Sequence, residues 1–263
     1  MGGEVEELAR RWSDQLAEWA IPADILERAP ESPWGFPTAV FAQAARDAME
    51  EETPSPSRRR ALEALGGGGT VVDVGVGAGA ASLPLCPPAT HVVGVDDSEA
   101  MLGAFADGAA QRGVAHDEVR GRWPDVGPAV ASGDVVVCHH VVYNVADLVP
   151  FVDALHSHAR RRVVLELTAE HPQAELNPLW LAIHGVERPT GPTAADAEAL
   201  LRAMGLPVVV ERFRRPTLWN HQHRAHRVEF ARRRLCVGPE HDAAIEQMLP
   251  EGDRQLVALW WDR

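Results

Sequence analysis

Between residues 4 and 19, Val5, Leu8, Ala9, Trp12, Leu16 and Trp19 recur at helical spacing with Glu and Arg between them, which predicts an amphipathic helix. After the proline-rich turn Ala29-Pro30-Glu31-Ser32-Pro33-Trp34-Gly35-Phe36-Pro37, a second helical stretch sets Val40, Phe41, Ala44, Ala45, Ala48 and Met49 on one face. Thr53-Pro54-Ser55-Pro56-Ser57 then breaks the chain. The expected organisation is an N-terminal helical cap or lid over residues 1–55 and a single domain over residues 56–263.

Beyond the break the period changes. Short β-branched runs alternate with helical patterns, the signature of βαβ units and a doubly wound, mostly parallel α/β sheet. The expected strands are Thr70–Val74, His91–Val95, Asp117–Arg120, Asp134–Cys138 and Arg162–Thr168. Two further strands, Pro207–Phe213 and Arg227–Val237, are expected to form an antiparallel pair because no helical crossover separates them. Intervening helices are marked by Met101, Leu102, Phe105 and Ala109, by Leu148, Phe151, Val152 and Leu155, and by Ala197–Met204 behind the capping box Thr193-Ala-Ala-Asp196.

Composition narrows the chemistry. The 263 residues are 46% hydrophobic, which is enough for a large core and excludes disorder. The net charge of −13 repels phosphate backbones and anionic membranes, so neither nucleic acid nor a membrane is an expected partner. Lys is absent, which removes a P-loop, a kinase site and every Schiff-base mechanism. Cys86, Cys138 and Cys236 are scattered thiols without zinc or disulfide spacing. The acidic start Met1-Gly2-Gly3-Glu4 does not read as a signal peptide, so the expected location is the cytoplasm. His221, His223 and His226 would fall on two faces of a strand, so no metal site is expected.

The densest motif is Asp73-Val74-Gly75-Val76-Gly77-Ala78-Gly79, where a buried strand runs into a glycine-rich turn expected to lead into a short helix. Such a turn lets backbone amides approach a ligand. The next strand ends in Asp96-Asp97-Ser98, placing a carboxylate where it accepts from two ribose hydroxyls. Nicotinamide dinucleotides and S-adenosylmethionine both use this arrangement. Asp73 suits a ligand carrying an ammonium group better than a pyrophosphate.

With Asp73-Val-Gly75-Val-Gly77-Ala-Gly79, Val95-Asp96-Asp97-Ser98-Glu99-Ala100-Met101-Leu102 and Asp134-Val135-Val136-Val137-Cys138-His139-His140 in this order, the chain resembles the class I S-adenosylmethionine-dependent methyltransferases over roughly residues 57–237. The resemblance implies a seven-stranded Rossmann-like methyltransferase fold with S-adenosylmethionine as cofactor. It implies that Asp73, Gly75, Gly77 and Gly79 surround the methionine end, Asp96 holds the ribose and Asp97 lies beside the adenine. Where the family often has an acidic residue facing the adenine amino group, this chain has Arg122; Trp123 is then the expected stacking partner or amide donor. Cys138 and His139 would lie near the sulfonium.

His139, His140 and Tyr143 follow the fourth expected strand, where ligands of doubly wound sheets collect, and are the candidates for general base. Trp180 and His184, four apart on one helical face, are candidates for an acceptor pocket, and Trp34 and Phe36 for a lid over it. The leading expectation is methyl transfer to the oxygen, nitrogen or carbon of a small molecule, by a protein that assembles as a homodimer. The alternatives are a nicotinamide-dependent oxidoreductase and a non-catalytic S-adenosylmethionine-binding protein.

Overall fold

The computed structural model describes residues 2–34, 38–216, 224–250 and 252–263. In chain order the strands are β1 (Gly69–Val74), β2 (Ala89–Asp96), β3 (Ala115–Arg120), β4 (Gly133–His139), β5 (Ala159–Thr168), β6 (Val209–Pro216) and β7 (Asp253–Asp262). The described helices begin with α1 (Gly2–Ala17), α2 (Ala23–Leu26), α3 (Thr38–Glu50), α4 (Pro56–Leu65) and α5 (Glu99–Gln111). They continue with α6 (Leu148–His158), α7 (Asn177–His184), α8 (Ala194–Ala203), α9 (Arg224–Arg234) and α10 (Asp242–Met248). None is long and apolar enough to cross a membrane.

The strands form one sheet in the order β3-β2-β1-β4-β5-β7-β6. All neighbours from β3 to β5 are parallel, whereas β7 runs antiparallel to both β5 and β6. The two-residue period of the strands sorts their side chains onto two buried faces. Val71, Val92, Val135, Val137 and Val164 face Ala61 and Leu65 of α4 and Leu102 and Phe105 of α5. Val72, Val74, Val93, Val95, Val136, Val163 and Leu165 face Phe151 and Leu155 of α6, Leu200 of α8 and Trp12 of α1. At about 1.5–3 kcal/mol for each fully buried aliphatic side chain, these two layers dominate the stability of the sheet.

Helix starts follow local chemistry. Ser55 Oγ accepts from the Arg58 amide at 3.2 Å, with Pro56 at the first helical position of α4. Ser98 caps α5, and the Thr193–Asp196 capping box opens α8 as its sequence predicts.

Three expectations are corrected. Arg227–Val237 is not a strand: it lies largely in α9, because Val228, Ala231 and Leu235 fall on one helical face and bury it with Ile245 of α10 and Trp180 of α7. The antiparallel partner of β6 is therefore β7, whose pairing runs from Val209↔Trp260 to Pro216↔Asp253. The glycine turn leads not into an α-helix but through turns into a single 3-10 turn at Leu83–Leu85.

The N-terminal segment distributes itself over the domain. Trp12 of α1 is buried in the main core and donates its Nε1–H to Val145 O at 2.8 Å. Ile21 and Ile25 join the cluster of α7, α9 and α10, and α3 lies over the glycine turn and α5.

Candidate functional site

At the carboxyl end of β1 the chain turns sharply, and Val95 O accepts from both Gly75 N at 2.8 Å and Val76 N at 3.0 Å. Gly77 adopts a φ of +52°, which aims its amide at Asp96 Oδ2, 3.0 Å away. Asp96 Oδ1 accepts from Ser98 N at 2.9 Å. Each carboxylate oxygen keeps a second lone pair, so Asp96 can still accept from ligand hydroxyls while it fixes the turn. A side chain at Gly75 would collide with Val141, and one at Gly79 would meet Leu83 and Phe105. Those two glycines therefore allow protein to pack on protein. At Gly77 the nearest atom to the missing Cβ is Phe41 Cδ1 of α3, at 3.7 Å.

Asp73 lies at the base of this turn and is buried. Its Oδ2 accepts from Ser82 Oγ at 2.6 Å, while Oδ1 has no hydrogen-bond partner among the described residues. Burial pushes its carboxyl up to about 7; the nearby charge of Asp96 adds to this and the Ser82 hydroxyl opposes it. A buried oxygen left without a donor is a site for one from outside, and an ammonium group satisfies both its hydrogen bonding and its charge. The residues at the end of β1 and β2 thus fit S-adenosylmethionine: an anionic oxygen for its amino group and a free acceptor capacity on Asp96 for its ribose.

Asp97 and Arg122 face each other across the same edge, both exposed, with Arg122 Nε 3.8 Å from Asp97 Oδ2. For Trp123 the expected stacking is corrected, whereas its backbone amide is not involved in the correction. Its ring is buried, packs edge-on against His158 at 4.7 Å and donates Nε1–H to Phe151 O at 3.2 Å, so it is committed to the core and cannot stack on a ligand.

The end of β4 divides by face. Cys138 points into the main core, where burial pushes its thiol well up, reinforced by Asp73. His139 points to the opposite face, directly across from Glu166 of β5 in the parallel register. Burial holds the His139 imidazole down to about 4, with Glu166 opposing and His140 and Arg215 adding to the effect, and its Nε2 finds no partner among the described residues. It is neutral at physiological pH and a weak base.

His140 has a φ of +60°, a conformation uncommon for a side-chain-bearing residue. This bend returns its amide to Glu166 O at 2.7 Å and places its Nε2 3.3 Å from Glu166 Oε1. The His140 side chain remains 42% exposed at the carboxyl edge of the sheet. Burial alone would push the Glu166 carboxyl up, but His139, His140 and the Ser57 hydroxyl of α4, which donates to Oε2, together hold it well below the usual carboxylate range. Glu166 and Ser57 were not singled out by sequence reasoning. The available signal was Glu166 itself, a charged residue at an inward position of the apolar run Val163–Leu167.

Other expected site residues are placed elsewhere. The Tyr143 hydroxyl donates to Thr168 O at 2.8 Å and its ring stacks on Trp12 at 5.8 Å, so it closes the core over α1 rather than serving as a base. Burial pushes that hydroxyl further up, away from any role as a proton acceptor near neutrality. Trp180 is fully buried among α2, α7, α9 and α10, and His184 Nε2 hydrogen-bonds Leu235 O at 2.7 Å. Both tie α7 to α9 and do not line a pocket, because helical burial claimed the face they share. Trp34 is 52% exposed with the Arg234 guanidinium 5.3 Å from its ring centroid, on the α9 side. Phe36, His221 and His223 lie outside the described residues.

Residues 72–165 match the sequence family described as a methyltransferase domain. No curated protein gives a significant match. Among solved structures, an S-adenosylmethionine-dependent methyltransferase from Thiobacillus denitrificans in complex with S-adenosylhomocysteine is 17% identical, with 88% of this chain and 100% of that one covered at a TM-score of 0.54. Magnesium protoporphyrin IX methyltransferase from Synechocystis PCC 6803, with the same bound product, is 17% identical over 97% of this chain and 99% of that one, at a TM-score of 0.50. A structure described under conversion of a disulfide bond into a thioacetal group during echinomycin biosynthesis is 19% identical over 86% and 93% of the two chains, at 0.53. These three likenesses show the fold.

Proposed function

We infer that the chain is a class I S-adenosylmethionine-dependent methyltransferase that transfers a methyl group to a small-molecule acceptor through an oxygen, nitrogen or acidic carbon, a reading supported by the methyltransferase-domain match over residues 72–165. The observation that carries this reading is the pairing of a buried Asp73 oxygen, without a donor among the described residues, with an Asp96 carboxylate already fixed by Gly77 N and Ser98 N. When bound, S-adenosylmethionine supplies an electrophilic methyl group. The chain's own residues orient and deprotonate the acceptor.

In this reading Asp73 receives the amino group, the backbone of Gly75 and Gly77 passes beneath the methionine end, Asp96 holds the ribose hydroxyls, and Asp97 with Arg122 borders the adenine. His140 is the general base, because its ring is exposed at the carboxyl edge while Glu166 anchors its other nitrogen. His139 lines the floor of the site as a neutral group. The segment before residue 56 acts as the cover, with α3 closing over the glycine turn through Phe41. The net charge of −13 supports a small acceptor over a nucleic acid. Alignment of acceptor, methyl carbon and sulfur supplies the larger share of the acceleration, and proton removal about 10²–10⁴-fold more.

Calorimetric titration with S-adenosylmethionine, S-adenosylhomocysteine and reduced nicotinamide dinucleotides tests the reading. Saturable binding of the two adenosyl ligands alone is the expected result. Binding of a nicotinamide dinucleotide alone overturns it in favour of a reductase.

A further inference from the structure

We propose that Ser57 and Glu166 are positioning residues for His140, fixing its imidazole in the tautomer whose Nδ1 accepts the acceptor's proton. The inference rests on the methyl-transfer reading of the same site. Its starting point is a row of polar side chains threaded through an otherwise apolar layer: Ser57 on α4, Glu166 on β5 and His140 just past β4.

The chemistry of each link leaves one proton arrangement. Glu166 is ionised and therefore accepts only. Ser57 is fully buried and donates its hydroxyl proton to Oε2. The second carboxylate oxygen, Oε1, faces His140 Nε2, which must then carry the hydrogen. In a neutral imidazole this leaves the lone pair on Nδ1. Ser57 is itself held by its neighbourhood: Ser55 Oγ lies 3.0 Å from Ser57 Oγ and also caps α4, so the hydroxyl is presented by a rigid helix start.

The backbone points to the same conclusion. His140 adopts a φ of +60°, and the bend is secured by its own amide on Glu166 O at 2.7 Å. Glu166 thus holds His140 by main chain and side chain together. A strained non-glycine backbone is retained where the surroundings over-determine it, and here the effect is to return the ring to the carboxylate. During transfer the acceptor's electron pair forms the bond to the methyl carbon, the carbon–sulfur pair stays on sulfur, and the acceptor proton passes to Nδ1. The Nε2 hydrogen stays between His140 and Glu166, whose charge stabilises the imidazolium without taking a proton.

The test uses the full-length protein, with Glu166→Gln, Ser57→Ala and, for signal assignment, His140→Ala. Titration with S-adenosylhomocysteine comes first: absence of saturable binding by the wild type overturns the methyl-transfer reading and this inference with it. With binding established, 15N NMR of histidine-labelled protein is expected to show His140 as the Nε2-protonated tautomer in the wild type. That preference is expected to be lost in Glu166→Gln, where a carboxamide can donate to Nε2, and weakened in Ser57→Ala, while both variants still bind S-adenosylhomocysteine. An unchanged Nε2-protonated signal in Glu166→Gln overturns the inference and leaves the methyl-transfer reading standing. Should Glu166→Gln fail to fold, an unchanged signal in Ser57→Ala decides in the same way.

Discussion

Asp96 Oδ2 accepts the amide hydrogen of Gly77 at 3.0 Å, so the last residue of β2 clamps the turn that follows β1. One carboxylate thereby shapes the turn and offers its remaining lone pairs to a ligand. Asp96→Ala removes both contributions and is expected to weaken S-adenosylhomocysteine binding by two orders of magnitude or more, about 3 kcal/mol, as for a lost charge-assisted hydrogen bond plus a relaxed loop. Gly77→Val is expected to abolish binding, because a β-branched residue strongly disfavours a φ of +52°. Micromolar binding retained by both variants in calorimetry removes these residues from the cofactor site.

With Asp73 as the proposed partner of the amino group, cofactor binding is expected to depend on pH in a defined direction. Its carboxyl is pushed from 3.8 up to about 7 in the folded protein, so between those values the native state holds a proton that the unfolded chain has released. The ligand-free fold therefore loses this contribution to stability as pH rises from about 4 to about 7. An ammonium ligand selects the ionised form, so its binding releases a proton below about pH 7 and tightens as pH rises, by at most tenfold per pH unit on the order of linkage expectations. Calorimetry of S-adenosylhomocysteine in two buffers of different ionisation enthalpy measures that release at pH 6. Asp73→Asn is expected to abolish the release and weaken binding; wild-type binding without proton release removes Asp73 as the amino-group partner.

The legibility of the chain follows the range of its interactions. The parallel strands and the glycine turn are written in contiguous residues, since Val71–Gly79 carries both its strand pattern and its turn chemistry within nine positions. The motifs mark Gly77 and Asp96, 19 positions apart, but not the hydrogen bond between them. The Glu166–Ser57 bond joins residues 109 apart; Ser55 and Pro56 mark a helix start locally, but nothing in Thr53–Ser57 shows that Ser57 is buried against a carboxylate. Arg227–Val237 misled because its charged residues obscure the helical spacing of Val228, Ala231 and Leu235. Trp180 and His184 share a helical face in either reading; which body that face meets is decided by α2, α9 and α10, all distant or unmarked in sequence.

Trp180 consequently belongs to stability. Its ring is almost wholly buried, and Arg188 stacks 4.8 Å from its centroid while holding Trp19 O and Ala20 O. Trp180→Ala is expected to cost about 3–5 kcal/mol in denaturant unfolding, the range for deleting a large buried aromatic, with S-adenosylhomocysteine affinity unchanged in the folded fraction. Unchanged stability together with altered acceptor selectivity returns Trp180 to the pocket.

His171 sets the acid limit of the same region. Its ring stacks on Trp19 at 4.0 Å and 14°, meets Tyr143 edge-on at 5.2 Å and accepts from Gln173 N through Nδ1. Burial, with Arg188 and Arg234 adding like charge, holds it down to about 4. An unfolded histidine titrates near 6.5, so the unfolded chain takes up a proton that the native ring refuses between about 6.5 and 4. Stability from this site is therefore complete above about pH 6.5 and is lost as pH falls towards 4. His139, held down to about 4 by burial, and the depressed carboxyls of Glu166 and Asp196 act in the same direction, whereas Asp73 opposes them. Thermal unfolding at pH 7 and pH 4.5 is expected to show a lower midpoint at the acid value. His171→Phe, which keeps the stack and removes the titration, is expected to shrink that difference. An identical pH dependence in wild type and variant assigns the acid loss to the other groups and removes His171 from it.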